Sequence, residues 1–268
     1  MEKENKMGYM PMGKLVFSMS LPMIISMLVD SLYSMADTYF VSQLGRAATA
    51  AVGVNDSMSH FIRSVAMGFG VGSSSYMSRL LGAKRDEEAC RVGTTTVFTS
   101  AIVLSVLAAI AYIFINPLVD LLGATASSKP YSMDYARFIL FSAPFTAAEV
   151  ALSHILRSEG STKYSMIGMC SGGILNIGLD ALFILVFDMG VAGAAIATSL
   201  SQLFSFGILV IFFLTGKSGL RVGPKRASRK ISDYLTVFRV GLPTVFRQSL
   251  GSLATTLLNH AVRPYGDA

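Results

Sequence analysis

Charged side chains are scarce in this sequence. Only 14% of its 268 residues are Asp, Glu, Lys or Arg, against about 25% in an ordinary soluble domain. That deficit, beside 52% hydrophobic residues, excludes a chain that folds around one core in water. Cysteine is nearly absent. Cys90 lies in a basic loop and Cys170 in an apolar run, so neither a disulfide framework nor a Cys/His zinc spacing is available. Gly68, Gly70 and Gly72 follow no strand and precede no P-loop lysine, which makes them sites of close helix packing rather than a phosphate cradle. No catalytic constellation and no nucleotide motif is present, so neither an enzyme nor a cofactor is expected. The net charge of +6 does not point to nucleic acid, because the basic residues fall in loops between apolar spans. The polar first 14 residues precede a span too long for a signal-peptide core, so that span belongs to the mature protein.

What the chain does have is long apolar runs. About 20 apolar residues cross the hydrocarbon core as a helix. Seven runs qualify: 15–43, 50–78, 92–115, 132–156, 163–187, 190–214 and 233–262. Positive charge gathers in alternate loops, at Lys3, Lys6 and Lys14, then Arg79 to Arg91, then Arg157 and Lys163, then Lys217 to Arg239. The positive-inside rule therefore predicts a cytoplasmic N-terminus. Segment 216–231 is the longest and most basic connection and reads as a cytoplasmic linker between two lobes, with a lipid-binding patch as the alternative.

The seventh span repeats the first. At an offset of 221 positions Phe17 meets Phe238, Leu21 meets Leu242, Pro22 meets Pro243, Ser31 meets Ser252, Val41 meets Val262, Gly45 meets Gly266 and Ala47 meets Ala268, without a gap. Transporters are commonly built from such repeats, and an offset crossing six spans makes this one parallel. The predicted organisation is an N-terminal tail (1–14), a six-helix lobe (15–215), the linker (216–231) and the first helix of a second lobe (232–268). The fold class is thus all-α membrane protein, with the remainder of the second lobe expected as a missing partner of the same protein. A complete seven-helix protein is the alternative.

Carboxylates inside such spans are costly unless they face a cavity or bind a cation. Asp37 and Asp180 are of this kind. Asp30 lies two turns before Asp37, on nearly the same face, and either lines the same cavity or pairs with a basic group. Asp56, His60 and Arg63 form a polar stripe on the second span, with Arg63 expected as the structural partner of a carboxylate. Glu149 is a proton-relay candidate, and His154, nearer the span end, is expected to be wetted. Gln248 and Arg247 lie in the seventh span. The 15 methionines suit a promiscuous surface, although no one of them can be singled out.

Several blocks, in order, carry a family resemblance: TYFVSQLG (38–45) with AATAAVG (47–53), SRLLGAKRDEEA (78–89), LRSEGSTKYS (156–165), NIGLDALFI (176–184), GVAGAAIATSLSQ (190–202) and VGLPTVFRQ (240–248). Together they resemble the multidrug and toxic compound extrusion (MATE) family over nearly the whole chain. The resemblance implies two six-helix lobes around a central cavity in the cell membrane of a bacterium or archaeon. It also implies export of organic, often cationic, drugs in exchange for sodium ions or protons. It maps cation handling onto Asp37, Asn176, Asp180 and Thr198, as in the DinF-like branch. The NorM-like branch has an acidic residue in the seventh helix, and the positions after Pro243 hold none. Chemistry agrees with that mapping. Asn176 and Asp180 share a helix face, sodium prefers oxygen ligands, and two nearby carboxylates could share a proton. The alternatives are an interhelical hydrogen-bond cluster, a lipid-linked oligosaccharide flippase of the related superfamily, favoured if Arg63 and Arg247 face one cavity, and a non-transporting fragment.

Overall fold

The computed structural model describes residues 10–220, 223, 227, 228 and 230–262. Among these, all regular structure is helical: α1 (Met12–Ser42), α2 (Arg46–Gly82), α3 (Asp86–Ile113), α4 (Ile115–Leu121), α5 (Lys129–Ser158), α6 (Thr162–Asp180), α7 (Gly190–Leu214) and α8 (Ile231–Val262). Five of the spans are long and apolar enough to cross a membrane: α1, α3, α5, α6 with its extension to Val186, and α7. The other two long helices, α2 with 37 residues and α8 with 32, have the length. They carry Asp56 and Arg63, and Arg239 and Arg247, within it. The seven expected spans are therefore seven long helices. The difference is α4, a short separate helix where the third span was expected to end; α3 stops at Ile113.

The lobe is organised around α2 and α5. Helix α5 packs on α2, α3, α6 and α7, and α1 packs chiefly on α6. Apolar residues from these helices form two clusters, one around Val54, Leu104, Ile139 and Ala194 and one around Met77, Leu152, Ile155 and Leu209. A buried polar staple fixes α2 against α5. Asn55 Nδ2 donates to Ala51 O on its own helix, at 2.9 Å, and to Ser132 O across the interface, at 3.0 Å. Such a bond holds register because a buried amide left unpaired costs about 1–3 kcal/mol.

Helix α8 does not stand apart; it lies along α2. The approach depends on the glycines. A Cβ at Gly68 would run into the Val245 side chain, and one at Gly72 into the Val237 carbonyl, with Gly241 N at 3.0 Å. A Cβ at Gly241 would in turn strike the Gly68 backbone. Gly70 serves another contact, since its missing side chain leaves room for the His154 ring of α5. That overturns one expectation: His154 is buried, at 8% exposure, rather than wetted. The small-residue face of α2 admits the ring, and its Nε2 has no partner among the described residues. At the far end, Asn259 Nδ2 donates to Leu122 O at 3.4 Å, and His260 Nε2 lies 2.6 Å from Leu121 O.

The segment after α7 is tied down at several points. Glu159, in the α5–α6 turn, accepts from Ser218 Oγ at 2.7 Å, Gly219 N at 2.8 Å and Leu220 N at 3.2 Å. Burial pushes its carboxyl above the usual range, while those three donors pull it back. Further on, Gly223 N and Ser228 N donate to Thr94 Oγ1 and Thr95 Oγ1 of α3, at 3.4 and 2.7 Å. Arg221, Val222, Pro224, Lys225, Arg226 and Arg229 lie outside the described residues, as do 1–9 and 263–268. The last group includes Gly266 and Ala268 of the repeat. The rest of the repeat falls on two helices of almost equal length, α1 with 31 residues and α8 with 32, each containing its proline.

Candidate functional site

A polar cleft of about 90 Å³ opens between α1, α2, α5 and α7. Asp37, Tyr33 and Ser34 reach it from α1, Asp56, Ser59 and Arg63 from α2, Tyr135, Ser142 and Thr146 from α5, and Thr198 and Gln202 from α7. Helical spacing explains the set. Tyr33 and Asp37 are one turn apart, as are Thr198 and Gln202, so each pair presents both members to the same side. Thr146 Oγ1 donates to Gln202 Oε1 at 2.6 Å, which fixes the amide at one end of the cleft.

Behind the cleft, α6 supplies Asn176 and Asp180, 2% and 0% exposed. Asn176 Nδ2 donates to Thr198 Oγ1 at 3.4 Å, so α6 and α7 are joined through two of the expected site residues. Asp37 and Asp180 lie within electrostatic reach of each other. The distinguishing feature is what these groups lack. Asp37 Oδ1, Asn176 Oδ1 and both carboxylate oxygens of Asp180 are buried without a partner among the described residues. Buried oxygens are nearly always hydrogen-bonded, and an isolated buried carboxylate is far more costly than an amide. These four unpartnered oxygens lie on packed helices, and oxygen donors of this kind suit sodium or a proton. No group of three His, Cys, Asp or Glu that could hold a metal occurs among the described residues. Immediately after Asp180 the helix widens into a π-helical segment, Ala181–Val186. Such segments occur often at functional sites.

The other candidates separate from this core. Arg63 Nη1 lies 3.3 Å from Asp30 Oδ1, and its Nη2 donates to Tyr33 Oη at 3.0 Å. The carboxylate partner expected for Arg63 is thus Asp30, and the pair flanks the cleft. Asp56, which lines the cleft, lies 3.4 Å from His60 one turn further along α2. Glu149 is half-buried on α5, outside the residues that line the cleft. Gln248 on α8 donates to Met67 Sδ at 3.3 Å, also away from the cleft, and Arg247 is exposed. Tyr33, Tyr135, Thr146 and Gln202 were missed in the sequence. Spacing from Asp37 and Thr198 marked Tyr33 and Gln202, whereas nothing local marked Tyr135.

A family model described as MatE matches residues 22–182, well over half of the chain. The chain belongs to the MATE family. It is 28% identical over 258 residues to the multidrug export protein MepA of Staphylococcus aureus (strain MRSA252), covering 96% of this chain and 57% of that protein. It is 34% identical over 254 residues to the FAD transporter of Shewanella oneidensis (strain MR-1), covering 92% of this chain and 56% of that one. A solved inward-facing conformation of a multidrug resistance MATE family transporter of the MOP superfamily superposes with a TM-score of 0.85 at 31% identity, over 94% of this chain and 58% of that one. This MATE chain therefore spans little more than half the length of the relatives it matches, and it is an integral membrane protein built as they are.

Proposed function

We propose that this chain forms the N-terminal lobe, with the first helix of a second lobe, of a secondary antiporter. It exports organic cations in exchange for sodium ions or protons, through a DinF-like site at Asp37, Asn176, Asp180 and Thr198. The observation that carries the proposal is the set of four buried, unpartnered oxygens beside a polar cleft. A bound cation would supply the missing partner. The ion then biases the cavity's orientation only by its difference in affinity between the two states. Asp30 is held by Arg63, Glu149 remains a proton-relay candidate, and Gln248 contributes to the contact of α8 with α2 through Met67. The second lobe is proposed from the repeat at an offset of 221 positions, which pairs α1 with α8. Positive charge in alternate loops supports a cytoplasmic N-terminus, and the bacterial relatives support the inner membrane of a prokaryote.

A second cargo class is favoured by one observation. Arg63 reaches the cleft, and the Shewanella relative is a transporter of FAD, which is anionic. Against it, Arg63 is already paired with Asp30, and Arg247 does not share the cleft. Both points leave the cation exporter ahead of an anionic or lipid-linked oligosaccharide cargo.

The test is resistance of drug-sensitive cells carrying the full-length transporter. Asp37→Asn and Asp180→Asn should each remove most of the resistance to cationic drugs at unchanged expression, because each swap deletes charge with little change in volume. Wild-type resistance from both variants would eliminate the coupling role. In the same cells, Lys217→Cys should be labelled by an impermeant thiol reagent only after permeabilisation; labelling in intact cells would invert the topology.

A further inference from the structure

Helix α7 carries three serines, Ser199, Ser201 and Ser205, and their hydroxyls are not treated alike. A serine inside a helix commonly returns its hydroxyl to a carbonyl one turn back. Ser199 Oγ does so, donating to Ala195 O at 2.8 Å. Ser205 Oγ crosses to α6 and donates to Gly168 O at 2.7 Å. Ser201 is only 4% exposed, and its Oγ has no partner among the described residues. A buried hydroxyl left unpaired is costly and rare, so this one calls for a ligand.

Contacts on either side fix its place in the seam between α6 and α7. On the Asp180 side, Asn176 Nδ2 donates to Thr198 Oγ1. One turn further along α6, a Cβ at Gly172 would lie 2.9 Å from Ser201 O and would strike Ser205 Oγ. Ser201 therefore sits between the levels of Asn176 and Gly172. Cα–Cβ bonds tilt toward the N-terminus of their helix, and these two helices run antiparallel across a short turn. Ser201 thus leans back toward Thr198, while Asn176 leans toward Gly172 from the other helix. Both side chains converge on one gap. Beyond it the seam is shut, because a Cβ at Gly168 would run into Leu209, itself fully buried. Thr198 and Gln202 line the open cleft and Ser201 does not, so its hydroxyl belongs to the buried side, with Asn176 and Asp180.

We infer that Ser201 is a further ligand of the coupling cation and that, with Thr198, it makes the site select sodium. This role rests on the ion site proposed above and adds to it a residue that no sequence pattern marked. A proton is satisfied by one carboxylate and a single acceptor beside it, and gains nothing from further neutral oxygens. A hard metal cation takes several oxygens at once. A hydroxyl offers two lone pairs to such an ion without adding charge. With Ser201 the site draws on two carboxylates, one amide and two hydroxyls, from α1, α6 and α7. The competing role is a hydroxyl bond to Asn176 Oδ1 that merely joins α6 to α7. Such a bond would stabilise the protein with or without sodium, which separates the two roles by experiment.

The experiment is a sodium titration of the purified chain, read as melting temperature while sodium replaces choline at fixed pH and ionic strength. The sodium dependence gives an apparent Kd. Ser201→Ala removes the ligand, and Ser201→Cys keeps the volume with a sulfur that suits sodium poorly. Each should weaken sodium binding roughly tenfold or more, the scale of losses seen even for groups that only support a metal ligand. In choline, Ser201→Ala should melt no lower than wild type, because it deletes a hydroxyl that has no partner. Ser205→Ala, on the same helix but with its hydroxyl already engaged, should melt lower in both salts and bind sodium as wild type does. Unchanged sodium affinity in both Ser201 variants, with the response abolished in Asp37→Asn, would overturn the role of Ser201 and leave the four-residue site standing. An equal fall of Ser201→Ala in sodium and choline would overturn it in favour of the helix-joining bond. A wild type indifferent to sodium, or a response that survives Asp37→Asn, would remove the sodium site and Ser201 with it.

Discussion

At the scale of single residues, the chain separates two kinds of carboxylate. Asp30, Asp120 and Asp134 have cationic partners within 4 Å, in Arg63, Lys129 and Arg137. Asp37 and Asp180 hold buried oxygens with no partner among the described residues. Glu159 is a third kind, a half-buried acceptor for three donors from the linker. Burial, the larger effect, raises its proton affinity above the ordinary carboxylate range. The linkage follows with a definite sign. A raised folded-state value means the docked linker binds the proton more tightly than the undocked one. The resulting stability is fully present below the ordinary glutamate value of about 4.3 and is lost as pH rises through the raised value. Thermal melting of the wild type relative to Glu159→Gln should therefore show an advantage at mildly acidic pH that shrinks toward neutrality. Parallel melting curves for the two proteins across that range would remove this role. The sequence made Asp37 and Asp180 legible because charge in an apolar run is conspicuous. Glu159 was not legible in this role, because its partners are 59 to 61 positions away and lie in a loop with no repeating pattern.

At the scale of helices, spans were easy to read and their mutual contacts were not. Hydropathy marks a span, but it does not say that α3 ends at Ile113 and yields to a short α4, or that Ala181–Val186 adopts the wider π form. Both depend on packing against neighbours. The glycines of α2 were legible as packing sites; their partner, α8, was not. That contact yields a sharp comparison. Gly72→Ala places a methyl group against the Val237 carbonyl and Gly241 N, both backbone, whereas Gly53→Ala meets nothing within 4 Å. Overpacking costs about 1–3 kcal/mol, while Gly→Ala at an open helical position gains roughly 0.5–1 kcal/mol. Gly72→Ala should thus melt lower than wild type and Gly53→Ala at or above it. Equal melting of the two variants would show that α8 does not lie against α2 in the membrane.

At the scale of the whole molecule, one lobe contains every group of the proposed ion site. Asp37 comes from α1, Asn176 and Asp180 from α6 and Thr198 from α7, and α1, α6 and α7 contact one another. Transport requires two lobes moving around a central cavity, but cation binding in this arrangement does not. The lobe should bind the coupling ion even where the chain alone moves no drug. The decisive measurement is the melting temperature of the purified chain, in a Glu159→Gln background that removes the linker's own titration. Choline is replaced by sodium at fixed pH, and separately pH is lowered at fixed sodium. A ligand at 100 times its Kd adds about 2.7 kcal/mol, or a rise of ~5 °C or more for a chain of this size. At least one of the two cations should produce such a rise, and Asp37→Asn and Asp180→Asn should each abolish it. A protein indifferent to both cations, or a rise that persists in both variants, would contradict the assignment of these four residues as the coupling site.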